Sequence, residues 1–527
     1  MNTMRPYPYE YMNLRAVIVL LMLWLVHAAS GYTTWDGKAV PPMADPVNPV
    51  ICSTFVQLYM AVRTQVPGRV IVLKPGTYDI AAVAPLRLDS PNVTIRGLSD
   101  DPSAAALVGG GFENCANLEE ELINLYTRNT TIANLTITEC RCNALKFQGG
   151  VNDQTVLHNV RFLNVGERMI KGPGTTNAAQ CSIRYCHFED TKVPSATRCG
   201  SDATDSDGNY IAGMDIMHAT AWVVHDCVFR NIRGSSGGGR GGIFFWGGSP
   251  GNANTDMIVE RNTFIGCDRA ISYGNPSGTN CVNGGFIRNN FIVRGAGIGI
   301  EMENSTNIKI YNNTLYSTDP TYSRAVYFSN NFTGNEFRNN IIFGNISGSV
   351  TTISNNLSRT SSSDATTNWF VNRTNADLHL TSNATAAINS GAPGLVSGDW
   401  DGHGRIDGQC DIGADEFNSV GVQDWGALSV GSDAGISVMP NPFNPTVVIS
   451  VGINAVGAYC PPSLALGETG NTPLQAIIYN TNGRIIAGLV LHNGQATWDA
   501  SAQPSGAYVV RAQIGAKNLT KVITLVK

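Results

Sequence analysis

The feature that most constrains this chain is a six-residue pattern that returns along its middle: an apolar residue, three mostly polar ones, and a second apolar residue near the end. Copies include IANLTI (132–137), LHNVRF (157–162), IRYCHF (183–188), VHDCVF (224–229), VERNTF (259–264), IRNNFI (287–292), IYNNTL (310–315), FRNNII (337–342) and ISNNLS (353–358). Their fourth positions are Leu135, Val160, Cys186, Cys227, Asn262, Asn290, Asn313, Asn340 and Asn356, so the steps between copies are 25, 26, 41, 35, 28, 23, 27 and 16 residues. A recurring step of this size marks a solenoid, whose repeats cannot bury an apolar face alone and must stack. The expected fold is all-β: a right-handed parallel β-helix with coils about 4.8 Å apart. Stacking puts equal positions above one another, so the Asn run from 262 to 356 predicts a ladder of side-chain amides. Cys186 and Cys227 fall in the same column as small buried thiols.

A second strand follows each copy about ten residues later. It reads ALKF from Ala144, MIKG from Met169, GMDIM from Gly213, GIFFW from Gly242, AISYG from Ala270, GIGIEME from Gly297 and AVYF from Ala325. With Leu145, Ile170, Met214, Ile243, Ile271 and Ile300 facing inward, the next outward column is Lys146, Lys171, Asp215, Phe244, Ser272 and Glu301. Two residues further it is Gln148, Pro173, Met217, Trp246, Gly274 and Glu303. The two long steps place Gly, Ser and Asp rich insertions at about 189–212 and 234–241, roofing this face.

A packed solenoid core leaves no pocket, so chemistry belongs to a cleft of outward columns under such loops. Lys171 and Asp215 are expected on neighbouring rungs roughly 5 Å apart, with His218 just beyond and Trp246 one coil further. An aromatic platform among charged groups suits extracellular polysaccharide. A uronate lyase needs a base for the proton α to the carboxylate, a cation for that carboxylate and a proton donor. Lys171 is the candidate base, Arg240 or Arg269 the neutraliser, and His218 the donor. An ordinary Lys titrates near about 10.4, so the role requires a push such as Lys146 would supply. Asp215 opposes that push, and an ion pair joining two rungs is the plainer account. Trp246 and Phe244 are candidate sugar contacts, while Phe245 alternates into the core. Glu301 and Glu303, about 6.6 Å apart between Cα atoms, stand near the separation of an inverting glycosidase; exposed carboxylates on an outer strand face are the plainer reading. Asp399, Asp401 and Asp407 occupy positions 1, 3 and 9 of an EF-hand-like count, a candidate Ca²⁺ site, although His403 and Cys410 stand where further ligands belong. A non-catalytic glycan-binding or cell-surface structural protein is the competing function.

A net charge of −5 and the lack of any Lys/Arg run argue against nucleic acid as a partner. The apolar run Ala16 to Val26 follows Arg15 and ends in Ala28, Ala29 and Ser30, which reads as a signal peptide over 1–30. It is too short for a hydrocarbon core that takes about 20 apolar residues. Export would let the twelve cysteines pair, and Cys181 with Cys199 and Cys267 with Cys281 are the expected bridges. Residues 51–66 put Ile51, Phe55, Leu58, Tyr59, Val62 and Val66 on one face behind a Ser53 cap, predicting a helix that closes the open end of the core. The β-helix with its cap is expected over 31–417, a linker over 418–435, and a small immunoglobulin-like β-sandwich over 436–527. Alternating strands such as TVVISV (446–451) and GAYVVRAQI (506–514), with a hairpin turn at Asn482-Gly483, support the last.

Several stretches resemble known families. VIVLKPGTY (70–78), after the helical segment, resembles the opening of pectate-lyase-like β-helix proteins. AAINSGAPG through DWDGHGRIDGQCDIGADEF (386–417) resembles the closing segment of bacterial β-helix proteins, D-x-D-G-x-x-R followed by D-I-G-A-x-E. VTIRGL (93–98), TVLHNVRFLNVGERMIKG (155–172), GMDIMHATAWVVHDCVFRNIRG (213–234), GIFFWGG (242–248) and VERNTFIGCDRAI (259–271) resemble a group of bacterial secreted β-helix proteins. More distantly they resemble the chondroitinase B and alginate lyase family, in which a Lys base and an Arg acid lie beside Ca²⁺ ligands. Lys171 matches the Lys, and the family's Arg and its Asn and Glu metal ligands find no clear counterpart. MPNPFNPTVVISV, YNTNGRII, SGAYVVR and KVITLVK, between 439 and 527, resemble the C-terminal sorting domain of type IX secretion substrates. That resemblance implies outer-membrane secretion machinery as a partner and delivery of a monomer to the exterior or the bacterial cell surface.

Overall fold

Seven of the nine six-residue copies fold as a corner between two short strands, each paired in parallel with the neighbouring coils, while 132–137 and 157–162 bend within the single strands Thr131–Cys140 and Val156–Val165. In 183–188 the strands are Ser182–Arg184 and His187–Glu189, and Tyr185 between them takes a left-handed backbone, φ 55°. The same third position is left-handed at Asn134, Asn159, Asp226, Arg261, Asn289, Asn312, Asn339 and Asn355. Asn dominates there because a short polar side chain tolerates that conformation best after Gly. The bend turns the fourth residue inward. Along Asn262, Asn290, Asn313, Asn340 and Asn356 each Nδ2 donates to the next Oδ1, at 3.1, 2.9, 3.0 and 2.9 Å. Each accepting Oδ1 also takes the backbone N–H of the preceding Asn. The ladder continues to Cys227, whose N–H donates to Asn262 Oδ1 at 2.9 Å, and Cys186 N–H reaches Cys227 Sγ at 3.4 Å. The sixth position carries the core aromatics: Phe162, Phe188, Phe229 and Phe264 stack at centroid distances of 5.0, 4.4 and 4.8 Å.

This computed structural model describes residues 32–417 except 150, 175, 198, 200–204, 206, 248–252, 320–323, 360–367 and 406–408. In the C-terminal part it describes 434–439, 446–453, 475–480, 484–490, 495–514 and 517–526. The expected signal peptide, most of the linker and the Asn482-Gly483 turn lie outside the described residues. Contacts divide the chain into two units, Met1–Gly426 and Ala427–Lys527.

The first unit is a parallel β-helix. Its corner strands join into one 24-stranded sheet, and the second strands form a ten-stranded sheet that runs from Leu86–Leu88 to Ile346–Ser347. In the latter, Leu145, Ile170, Met214, Ile243, Ile271 and Ile300 stand opposite one another rung by rung, all fully buried. The helix at the open end is Phe55–Arg63, shorter than expected, and its cap is Thr54 rather than Ser53: the Thr54 hydroxyl accepts from Gln57 N at 3.3 Å. Leu58, Ala61 and Val62 bury themselves against the core. Ile51 belongs to the strand Val50–Cys52 instead and is 48% exposed.

Two segments lie on the outside of the coils. Upstream of the first strand, the chain runs past successive rungs: Arg96 donates to Ala44 O at 3.0 Å, and His158 Nε2 stands 3.0 Å from Pro41 O. Further along, Lys38 Nζ is 3.1 Å from Asp226, and Thr263 donates to Asp36 at 2.7 Å. After the last coil, Trp369, Phe370, Leu378, Leu380, Trp400 and Ile412 pack on the outward Phe291, Val293, Ile341 and Phe343. Arg405 secures this closing segment through an ion pair with Glu416 and a hydrogen bond to Gly413 O at 2.8 Å.

The disulfide expectation is corrected. Cys115 pairs with Cys199, while Cys181, Cys267 and Cys281 are reduced and buried. Those three thiols face the packed interior, whereas Cys199 lies in the insertion that reaches across to Cys115.

In the second unit a three-stranded and a four-stranded antiparallel sheet share one core. Ile449 and Trp498 come from the first, and Ile478, Tyr508, Val510 and Ile523 from the second. The Tyr508 hydroxyl donates to Pro504 O at 2.7 Å, pinning a corner. The arrangement is a two-sheet β-sandwich.

Candidate functional site

The ten-stranded sheet supplies the floor of a cleft of about 510 Å³ under the two insertions. Strict alternation aims Lys171, Asp215, Phe244, Ser272 and Glu301 out of the same face on successive rungs. All five line the cleft, together with Trp246, Glu303, Arg240 and Arg269.

The charges on this floor are organised in closed sets. Lys171 Nζ donates to Asp215 Oδ2 at 2.6 Å, with side chains 12% and 3% exposed. Glu301 accepts from Arg269 Nε at 2.8 Å, Arg324 Nη2 at 2.8 Å and the Ser272 hydroxyl at 3.0 Å. Arg269 also ties the floor to the roof by donating to Gly239 O at 2.6 Å. Burial raises the Glu303 carboxyl above its ordinary range, and the adjacent Glu301 charge adds to this. Lys146 sits beside Lys171 in register but is held by Glu121, outside the cleft lining.

Arg240 differs from these cations. Its guanidinium lies over the Tyr210 ring at 5.4 Å, and among the described residues it forms no direct ion pair, though its charge helps to lower the exposed Asp207 carboxyl. Tyr210 is flanked by two further cations, Arg168 at 4.1 Å and Lys171 at 5.8 Å. Tyr210 and Arg324 were not singled out from the sequence. Tyr210 is the lone aromatic of a Gly, Ser and Asp rich insertion, and that contrast was the available signal. Arg324 lies just before the strand Val326–Ser329, at a position that no repeat spacing marks.

His218 is absent from the cleft lining. The chain leaves the sheet after Ile216, and His218 falls in the turn before Ala219–Thr220, a strand of the other sheet. Its Nδ1 is buried without a hydrogen-bond partner. The donor role assigned to it therefore has no geometric support. Nor does the cleft suit the Ca²⁺ of the resembled lyases. Among the described residues no three His, Cys, Asp or Glu donors converge there, and Glu301 is already saturated by two guanidinium groups.

Donors do converge in the closing segment. Asp399, Asp401 and His403 form one group and His379, Asp401 and Asp415 another, each with ligand atoms within 4.8 Å of one another. Asp407, the third expected ligand, lies outside the described residues. Burial alone would lower the His379 imidazole, but hydrogen bonds to Asp377 and Asp401 outweigh it and raise it to about 11. Burial pushes Asp415 up to about 7. Imidazoles among these donors do not fit the all-oxygen set that Ca²⁺ takes.

No protein-family model matches the chain, and no curated protein matches it. Solved structures do. Pectate lyase Pel9A shares 14% identity over 68% of this chain and 90% of its own, with a TM-score of 0.48. An alginate lyase from Paenibacillus sp. str. FPU-7 shares 14% over 59% of this chain and 99% of its own, with a TM-score of 0.34. A PL6 alginate lyase in complex with a trisaccharide shares 12% over 60% and 63%, with a TM-score of 0.38. All three are polysaccharide lyases.

Proposed function

We propose that this cleft takes an acidic, uronate-containing polysaccharide and cleaves it by β-elimination. The observation that carries the reading is Arg240: a guanidinium with no direct ion pair among the described residues, although it acts on Asp207 through space, lining the same cleft as the Lys171–Asp215 pair. A cation of this kind pairs with the uronate carboxylate and stabilises the charge that develops when the adjacent C–H bond breaks. The neutral Lys171 amine takes that proton, and the ammonium so formed is held by Asp215 at 2.6 Å. The electron pair forms the new C=C bond as the glycosidic C–O bond breaks, and the leaving oxygen takes a proton from Tyr210, the one phenol among the described lining residues. Trp246 and Phe244 provide the apolar surface on which sugar rings rest.

Hydrolysis by paired carboxylates is disfavoured by distance and occupancy. Asp215 and Glu301 are three rungs apart, roughly 14 Å, against about 6.5–9.5 Å for an inverting pair. Glu301 is bound by Arg269 and Arg324, leaving Glu303 without a second available carboxylate on its strand. A second reading, glycan binding without turnover, is favoured by the closure of Lys171 with Asp215 and of Glu301 with two arginines. The apolar run Ala16 to Val26, read as a leader over 1–30, and the resemblance of the C-terminal segment to a sorting domain support a proposed export through outer-membrane machinery, as a monomer released or held at the cell surface.

The test is incubation of the full chain with pectate, alginate and glycosaminoglycans while following the ultraviolet absorbance of an unsaturated uronate. Turnover that falls about 100-fold in Arg240→Ala supports elimination. Retention on an acidic glycan array with no absorbance change selects the binding reading, and neither signal overturns both.

A further inference from the structure

Asp399 is fully buried, and it is only half satisfied. Its Oδ1 accepts the His403 N–H at 2.7 Å, while Oδ2 is buried with no hydrogen-bond partner. Leaving a carboxylate oxygen in this state is costly unless a cation completes it. Oδ2 is directed at a ring: His403 Nδ1 stands 3.9 Å from it and 3.9 Å from Asp401 Oδ2. The other ring nitrogen of His403 is also buried and unpartnered. Two carboxylates and an imidazole thus surround one point, with no hydrogen bonds between their side chains to account for the arrangement. Ligands about 2.0–2.1 Å from a tetrahedral zinc stand roughly 3.3 Å from each other, within a small closure of the observed spacing.

The surroundings carry an excess of negative charge. Asp377, Asp401 and Asp415 accompany Asp399 against one cation within the cluster, His379, which pairs with Asp377 and Asp401, while Lys38 is taken by Asp226 and Arg405 by Glu416. Lys38 Nζ also lies over the Trp400 ring at 3.7 Å, and that ring stacks on Phe291 at 4.6 Å. The cluster therefore sits where the upstream strap, the closing segment and the coil flank meet.

We propose that Asp399, Asp401 and His403 bind one divalent transition metal of the zinc class, which fastens the closing segment to the flank of the β-helix. An imidazole with two carboxylates selects zinc over Ca²⁺, because the nitrogen donor is soft relative to the oxygens that calcium requires. The remaining coordination position is open to water, with His379 positioning Asp401 through its 2.9 Å hydrogen bond. The role is structural.

The full chain, stripped by a chelator and dialysed against Zn²⁺ or Ca²⁺, is assayed by elemental analysis and thermal unfolding. One Zn²⁺ per chain, a Tm raised by several degrees at about a hundredfold excess over Kd, and no comparable shift with Ca²⁺ are expected. Asp399→Asn and His403→Gln each lose the metal. Co²⁺ substitution in the unaltered chain guards against variants that fail to fold: visible bands without a thiolate charge-transfer band support nitrogen and oxygen ligands. Failure to retain Zn²⁺, tighter binding of Ca²⁺, a thiolate band from the buried cysteines, or undiminished Zn²⁺ binding in folded His403→Gln would each overturn the proposal.

Discussion

Lys171 Nζ and Asp215 Oδ2 meet at 2.6 Å across adjacent rungs whose Cα atoms are register partners, although 44 residues separate them in the chain. Asp215 is 2% exposed, and Lys171 is the cation that offsets the cost of burying its carboxylate. Lys171→Met is expected to cost about 3–5 kcal/mol by stranding a buried carboxylate. The double variant Lys171→Met/Asp215→Leu recovers most of that loss. Urea unfolding of the three chains measures the cycle, and a single-variant cost below about 1 kcal/mol would show that water screens the pair.

The Asn ladder makes a sharper demand. Asn290 Nδ2 donates to Val259 O, Arg288 O and Asn313 Oδ1, and its Oδ1 receives two bonds from Asn262. Asn290→Leu removes the acceptor that satisfies a buried backbone N–H and leaves two carbonyls short, a loss of about 2–4 kcal/mol. A Tm equal to that of the parent chain would mean that water replaces the amide.

Acid sensitivity is expected from His158. Burial first, then the neighbouring Arg184, lower its imidazole to about 4, and the neutral ring bridges Pro41 O and Arg184 Nε. The folded state resists a proton that the unfolded state accepts near 6.5, so this contribution is intact above about pH 6.5 and is lost as pH falls towards about 4. Over that interval it amounts to about 3 kcal/mol. His158→Gln should flatten the Tm profile between those limits. Hydrogen exchange of residues 36–44 should rise with acid in the parent chain and vary less in the variant.

Thiol labelling separates the bridge from the core. Cys115 is exposed and bonded to Cys199, while Cys52, Cys140, Cys142, Cys181, Cys186, Cys227, Cys267, Cys281 and Cys410 are buried and reduced. Mild reduction of the native chain should open only Cys115 and Cys199, among the described cysteines, to an alkylating reagent. Peptide mapping that finds Cys181 or Cys267 labelled without denaturant would contradict the observed core.

The cleft floor was legible because it is periodic. The inward set from Leu145 to Ile300 and the outward set from Lys146 to Glu301 follow from alternation within a strand and a roughly constant step between strands, and the observed register reproduces both. His218 shows where that logic ends. Alternation holds while the chain stays in the sheet, and the corner after Ile216 carries His218 into another wall.

The residues alone determined the stacked coils, the ladder column and the facing of Lys171 beside Asp215, because each depends on local backbone preference repeated at nearly equal intervals. Tertiary structure alone decided that Cys199 meets Cys115, that Tyr210 and Arg324 enter the cleft, and that His379 and Asp415 gather around Asp401. These meetings join insertions and end segments to coils far away in sequence. The path of an irregular segment is set by which outer surface it buries and which charges it neutralises, and no repeat spacing encodes that.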